Sequence, residues 1–295
     1  MMLTPQSRIF VDATRFHHYL EYEGTGDFSA SSICEIIEAA GNAEVFFTFG
    51  KDPWRKLSPN APGALRDFEA IDGGADLKSP ATQYDLLFWF HAADYEDVLD
   101  AALSAQRVLD GTARLKLGFP GLVYRDSRDL TGFVDGSANP KEDVHCKAAL
   151  MPAGEASAGS AFLMIQKWVH DLPKFEAVSV PDQDRIIGRT KPDSIELEGD
   201  AKPPDSHVLR TDVKLDGTAM KIYRRSATFG GECEKGLYFI AFSCDPMRFD
   251  VLLQRMFGRW KDELHDQLVH YSSPVSGSYW FAPSQEDLAA AGCTG

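Results

Sequence analysis

Apolar positions along the chain change period several times, and each change marks an element. From Ser31 to Ala40 they recur at helical spacing, after which Val45, Phe47 and Phe49 alternate with Phe46 and Thr48. That pattern predicts a helix followed by a strand. Residues 52–80, rich in Pro, Gly and Asp, read as one long connection. The run Leu86-Leu-Phe-Trp-Phe90 then predicts a strand, and Tyr95, Val98, Leu99, Ala102 and Leu103 place an apolar stripe on the helix that follows.

The same grammar returns in the second half. Leu237-Tyr-Phe-Ile-Ala-Phe242 runs through Cys244-Asp-Pro into a helix carrying Phe249, Leu252, Leu253, Met256 and Phe257 on one face. Ala161 to Trp168 is a further strand candidate, and Thr211–Val213 with Met220–Tyr223 predict a hairpin across Asp216-Gly217. Segments 152–159 and 199–204 read as loops. Strands and helices mix without obvious long parallel crossovers, so the pattern favours an α+β fold made of two copies of one antiparallel plan.

Composition narrows the classes. At 295 residues, 44% of them hydrophobic and 25% charged, the chain suits one large or two ordinary globular domains. Its formal net charge of −14 would repel phosphate backbones and anionic lipid, so neither nucleic acid nor membrane is expected as a partner. The five cysteines form no CxxC pair, which argues against a zinc site or a disulfide framework. The opening Met-Met-Leu-Thr-Pro-Gln lacks a secretory pattern, no apolar run reaches membrane-spanning length, and the tail from Leu288 offers no docking motif. A cytoplasmic protein is the expectation.

Three segments could carry chemistry together. Asp135 sits in Gly132-Phe-Val-Asp-Gly136, where an Asx turn is the plain reading. His207 follows a Pro-Pro loop, and Arg224 comes 17 residues after it. The set supplies a proton shuttle, an axial ligand and a fixed positive charge, the groups that cleavage of a peroxide on haem iron needs. Asp266 is the candidate acceptor for the second nitrogen of His207. Arg225 neighbours Arg224, and on an extended strand only one of the two can face a pocket.

Read as whole motifs, these segments resemble the dye-decolourising peroxidases, and among them the bacterial B-type branch. Residues 126–140 match the extended GxxDG motif, with Ser137-Ala138 where relatives usually show Thr-Glu before Asn139-Pro140. Ile187-Gly-Arg-Thr-Lys191, Ser206-His207, Arg224-x-Ser226 with Phe229-Gly230, Gln254-Arg-Met-Phe-Gly258 and Phe281-Ala-Pro-Ser284 match in order. The resemblance runs from about Val45 to Ser284.

It implies duplicated ferredoxin-like domains with antiparallel sheets, of the dimeric α/β-barrel-like superfamily. We expect residues 1–140 to form the N-terminal domain and residues 141–295 the haem-binding C-terminal one. It also implies one haem b per chain, frequent homo-oligomerisation, and hydrogen peroxide with a small-molecule electron donor as substrates. Carried over by position, His207 is the proximal iron ligand, Asp135 and Arg224 are distal catalytic groups, and Arg189 pairs with a haem propionate. Ser226 takes a distal position that is Asn in some relatives, exchanging an amide for a shorter hydroxyl. Large dyes cannot reach a buried haem, so Trp168, Trp260, Trp280, Tyr238 and Tyr279 are candidate electron relays, with core packing as the plain alternative. A non-catalytic haem carrier on the same fold is the rival function, though a carrier has no need of Asp135 and Arg224 together.

Overall fold

The structure, a computed structural model, describes residues 4–11, 14–25, 30–74, 76–141 and 143–293. The first three residues and the last two, on which the expectations about leader and tail partly rest, lie outside the described residues.

The N-terminal half runs β1 (Phe16–Gly24), α1 (Ala30–Ala39), β2 (Glu44–Phe49), α2 (Lys51–Leu57), β3 (Leu86–Ala92), α3 (Tyr95–Val108) and β4 (Ala113–Leu122). After α4 (Asp143–Ala149), the C-terminal half follows as β5 (Ala161–His170), α5 (Leu172–Glu176), α6 (Val180–Ile187), α7 (His207–Thr211), β6 (Ala227–Gly230), β7 (Lys235–Ser243), α8 (Met247–Met256), β8 (Ser278–Ala282) and α9 (Gln285–Ala290). Neighbouring strands are antiparallel throughout, in the order β4-β1-β3-β2 in the first half and β8-β5-β7-β6 in the second. In each half that is fourth, first, third, second. The duplicated ferredoxin-like plan read from the sequence is therefore present.

The two sheets close on each other. Leu122 of β4 pairs with Thr228 of β6, and Phe49 of β2 pairs with Phe281 of β8, giving an eight-stranded ring with two narrow seams. A buried Gln6 staples the second seam, its amide donating to the Phe47 and Pro283 carbonyls and its oxygen accepting from the Phe47 N–H. Gly121 lies at the other seam, where a Cβ would stand 3.0 Å from the Tyr19 ring and 3.2 Å from the Thr228 carbonyl, so a side chain there would push the two strands' neighbours apart by a few tenths of an ångström.

Side chains alternate across this wall. Tyr19, Phe46, Leu87, Trp89, Leu163, Ile165, Tyr238, Ile240 and Trp280 fill the interior. Leu20, Phe47, Phe88, Phe90, Met164 and Trp168 face outward into a second core with Ile33, Ile36, Val98, Ala102, Phe249 and Leu253 of the helices. β3 is buried at all seven positions because both its faces are covered, hence its unbroken apolar run.

The structure departs from the expected elements in places. The connection over 52–80 contains α2, whose Trp54 is fully buried against Phe49 and Phe281; Pro53 is tolerated in its first turn, where no intrahelical N–H is needed. The Asp216-Gly217 turn is real, with φ of 49° and 80°, but it joins only Lys214–Leu215 to Thr218–Ala219. Thr211 ends α7 instead, and Tyr223–Arg224 pair with Phe242 and Ala241 of β7. Strands β1 and β4 had no counterpart in the sequence reading.

Candidate functional site

A cavity of about 380 Å³ lies on the outer face of the C-terminal sheet. Its floor is Met164, Gln166 and Trp168 of β5 with Leu237 and Phe239 of β7; its walls are Ile187 at the end of α6, His207, Val208 and Thr211 of α7, and Leu252, Leu253 and Met256 of α8.

His207 opens α7, and its Nδ1 lies 2.6 Å from Oδ2 of the fully buried Asp266. The other carboxylate oxygen accepts the Leu268 N–H at 2.9 Å, which fixes the carboxylate. Nδ1 is thereby the protonated nitrogen and Nε2 keeps its lone pair for the cavity. The short helix is anchored by fully buried Arg210, which forks onto Asp262 at 2.7 and 2.9 Å and donates to the Arg255 carbonyl. Asp266 does not line the cavity and reaches it only through His207.

Asp135 reaches the cavity from the loop after β4. That loop is held by the Arg128–Val134 bridge, the Asp135 N–H donating to the Ser127 carbonyl at 2.8 Å, and left-handed Gly132 and Gly136. At Gly132 a Cβ would strike Lys191 at 2.4 Å. Arg224 arrives from the strand segment paired with β7 and is clamped by Asn139: the amide donates to the Arg224 carbonyl at 2.8 Å and its oxygen accepts the Arg224 N–H at 2.9 Å. Asn139, inside the quoted motif but given no role, is thus what ties the Asp135 loop to the arginine. Ser137 and Ala138, the departures from the motif, are exposed at the cavity rim.

Burial pushes Asp135 above the ordinary carboxylate range, against the pull of the Arg224 guanidinium. Burial likewise lowers Arg224, with Asp135 opposing, but a guanidinium stays charged at any working pH. Arg225 turns away, donating to the Ile9 and Val11 carbonyls with its guanidinium over Trp89. The alternation expected of the Arg224–Arg225 pair holds.

A second cavity of about 360 Å³ shares Asp135, Gly136, Asn139 and Arg224 with the first. Ser226 lines this second one and not the first, its buried Oγ without a hydrogen-bond partner among the described residues. Arg189 lines the main cavity but is engaged by Glu196 at 2.7 Å and the Ser194 carbonyl at 3.0 Å. Of the aromatic relay candidates, Trp168 alone lines the main cavity; Tyr238 and Trp280 point into the ring, Tyr279 packs outside it, and Trp260 lies against the cluster of Val213 and Met220.

The donor set fits a haem: an imidazole with one free nitrogen, apolar walls for a flat macrocycle, and Arg189 and Lys221 among the lining residues for its carboxylates. The Asp135 carboxylate and the Arg224 guanidinium line the same cavity as the imidazole.

Two family models match the chain, the Dyp-type peroxidase N-terminal domain over residues 29–119 and the C-terminal domain over 126–287. A dye-decolorizing peroxidase of Mycobacterium tuberculosis is 34% identical over 277 residues, spanning 90% of this chain and 82% of that protein. Among solved structures, a DypB variant of Rhodococcus jostii RHA1 in complex with haem superposes with a TM-score of 0.87 at 29% identity, covering 98% of this chain and 99% of that one. A dye-decolorizing protein from V. cholerae gives a TM-score of 0.86 at 32% identity over 95% and 97% of the two chains.

Proposed function

The chain belongs to the Dyp-type, or dye-decolourising, peroxidase family, and from that premise we propose that His207, Asp135 and Arg224 make up its peroxide-cleaving site. The chain is a haem peroxidase that reduces peroxide while oxidising one-electron donors. One observation carries the assignment of residues: His207, Asp135 and Arg224, 89 positions apart at the extremes of 135 and 224, line one cavity.

Bound haem supplies iron that binds peroxide and takes up its two oxidising equivalents. The residues do the rest. Asp135, raised by burial, takes the proton from the inner peroxide oxygen and delivers it to the outer one, directly or through water. Arg224, held by Asn139, stabilises the negative charge that builds on the departing oxygen. Asp266 holds His207 in the tautomer that ligates and makes it more basic. Arg189 pairs with a propionate by exchanging its Glu196 contact, and Ser226 acts from the adjoining cavity on what reaches Arg224.

Three finer readings accompany this one, of location, assembly and the bounds of the two units within the chain. We take the working protein to be a cytoplasmic homo-oligomer, the two units being residues 1–140 and 141–295, and light scattering on the holoprotein checks the assembly. Among the described residues no helix is long and apolar enough to cross a membrane.

The test is haem titration of wild type and His207→Ala, followed by one equivalent of peroxide. Wild type should load stoichiometrically and change its absorption spectrum with peroxide, whereas His207→Ala should lose the iron ligand and its spectrum. Equal loading with an identical spectrum in both would remove His207 from the site.

A further inference from the structure

The interior of the ring holds polar groups that peroxide cleavage does not use. Glu21 of β1 and Tyr238 of β7 are both fully buried, and the Tyr238 hydroxyl donates to Glu21 Oε1 at 2.5 Å. The second carboxylate oxygen, Oε2, has no hydrogen-bond partner among the described residues. Tyr238 stands between Leu237 and Phe239, which both line the haem cavity, while its own ring projects to the other face of the strand, into the interior.

We propose that Tyr238 is a redox site of this peroxidase, storing one oxidising equivalent as a neutral tyrosyl radical with Glu21 as its proton acceptor. The inference rests on the peroxidase reading above, which supplies the oxidant. Peroxide brings two oxidising equivalents to the haem. In the step proposed, Tyr238 gives one electron to the oxidised haem, its O–H bond breaks, and the proton passes to Glu21 Oε1. The products are a tyrosyl radical, a protonated Glu21 and a haem reduced by one electron. An electron from the donor later restores the phenol, and the proton returns from Glu21.

Tyr19, Tyr279 and Trp168 lack the combination. Tyr19 packs its ring 4.3 Å from that of Tyr238, but its buried hydroxyl has no hydrogen-bond partner among the described residues to take a proton. Tyr279 does donate to a carboxylate, Asp250 at 2.8 Å, yet Arg66 pairs with that same Asp250 and lies over the Tyr279 ring. A cation at that point opposes both loss of an electron from the ring and protonation of the acid. Among the described residues Glu21 has no cationic partner, and burial raises it to about 7, so it is a stronger base than an exposed carboxylate once ionised. Trp168 lines the cavity without any carboxylate hydrogen-bonded to it.

The experiment is freeze-quench electron paramagnetic resonance of the holoenzyme, above neutral pH, mixed with one equivalent of peroxide and no donor. Optical spectra are recorded on the same samples. We expect a radical signal that narrows when the protein carries ring-deuterated tyrosine, vanishes in Tyr238→Phe and persists in Tyr19→Phe. Glu21→Gln keeps the volume and a hydrogen bond but cannot take the proton, so the radical yield should fall about tenfold or more. A signal unaffected by tyrosine deuteration, one that survives in Tyr238→Phe, or an undiminished yield in Glu21→Gln overturns the proposal. Should Tyr238→Phe fail to load haem, deuterated wild type and Glu21→Gln decide it. Haem oxidised by peroxide without a tyrosyl signal defeats this inference alone; a haem spectrum indifferent to peroxide defeats the peroxidase reading as well.

Discussion

The contact between His207 Nδ1 and Asp266 sets what the other ring nitrogen can do, and its removal is measurable apart from activity. Asp266→Asn should retain haem yet raise the iron reduction potential, because an amide withdraws the electron density that a carboxylate lends the imidazole; spectroelectrochemical titration reads the shift, and an unchanged potential would leave Asp266 as a mere helix cap. On the distal side, losing one preorganised stabiliser of developing charge costs roughly 10²- to 10³-fold in rate, and losing general acid–base help about 10²-fold or more. The ranges overlap, so the availability of a substitute decides. Water can replace the Asp135 shuttle, whereas Arg225 is committed to the Ile9 and Val11 carbonyls and cannot replace Arg224. Stopped-flow mixing of haem-loaded variants with peroxide should therefore find Arg224→Leu slower than Asp135→Asn; the reverse order would give the carboxylate the leading part.

At the level of elements, the second seam depends on one side chain. Gln6→Ala strips partners from the Phe47 N–H and carbonyl and from the Pro283 carbonyl, and leaving buried groups unpaired costs about 1–3 kcal/mol each. Thermal unfolding of the variant should fall well below wild type, and an equal midpoint would mean that the seam closes without Gln6. The elements the sequence concealed explain themselves in similar terms. β1 carries His17 and Glu21 on the inward face it shares with Tyr19, and His18 on the outward face with Leu20, polar residues that break an apolar alternation on both sides. β4 contains Gly118, Pro120 and Gly121, which read as a turn; the strand is paired along one side and only at Leu122 on the other, where a missing N–H is tolerated. By contrast β3 and α8 were legible because covered surfaces impose a simple period. The site was legible through motif segments that each stay local, Asp135, His207 and Arg224. The Glu21–Tyr238 pair was not, since no local pattern links residues 217 positions apart.

Across the whole molecule, the ring interior writes itself into the pH dependence of stability. Burial, followed by the charges of neighbouring groups, lowers His17 and His91 to about 3 from 6.5. Their unfolded forms take up protons as pH falls below 6.5 while the folded forms do not, so the stability they contribute is present above 6.5 and drains away toward 3. Glu21 acts oppositely: raised from 4.5 to about 7 by burial, it holds a proton when folded that it lacks when unfolded, so stability falls as pH rises through that window. Between 4.5 and 6.5 these three groups leave a net uptake of about one proton on unfolding, or roughly 1.4 kcal/mol per pH unit. Denaturation measured across that range should steepen by about one proton in Glu21→Gln and flatten by about one in His91→Phe; slopes that do not move would show that these groups titrate alike in both states. The two seams add a time scale to this balance. Each is closed by a single strand bridge; Glu21 and His91 have no exposed surface of their own, whereas His17 borders the second cavity. A seam that parts would admit protons to Glu21 and His91, so after a sudden pH jump these two should equilibrate later than His17, and Gln6→Ala, which loosens one gate, should shorten that lag.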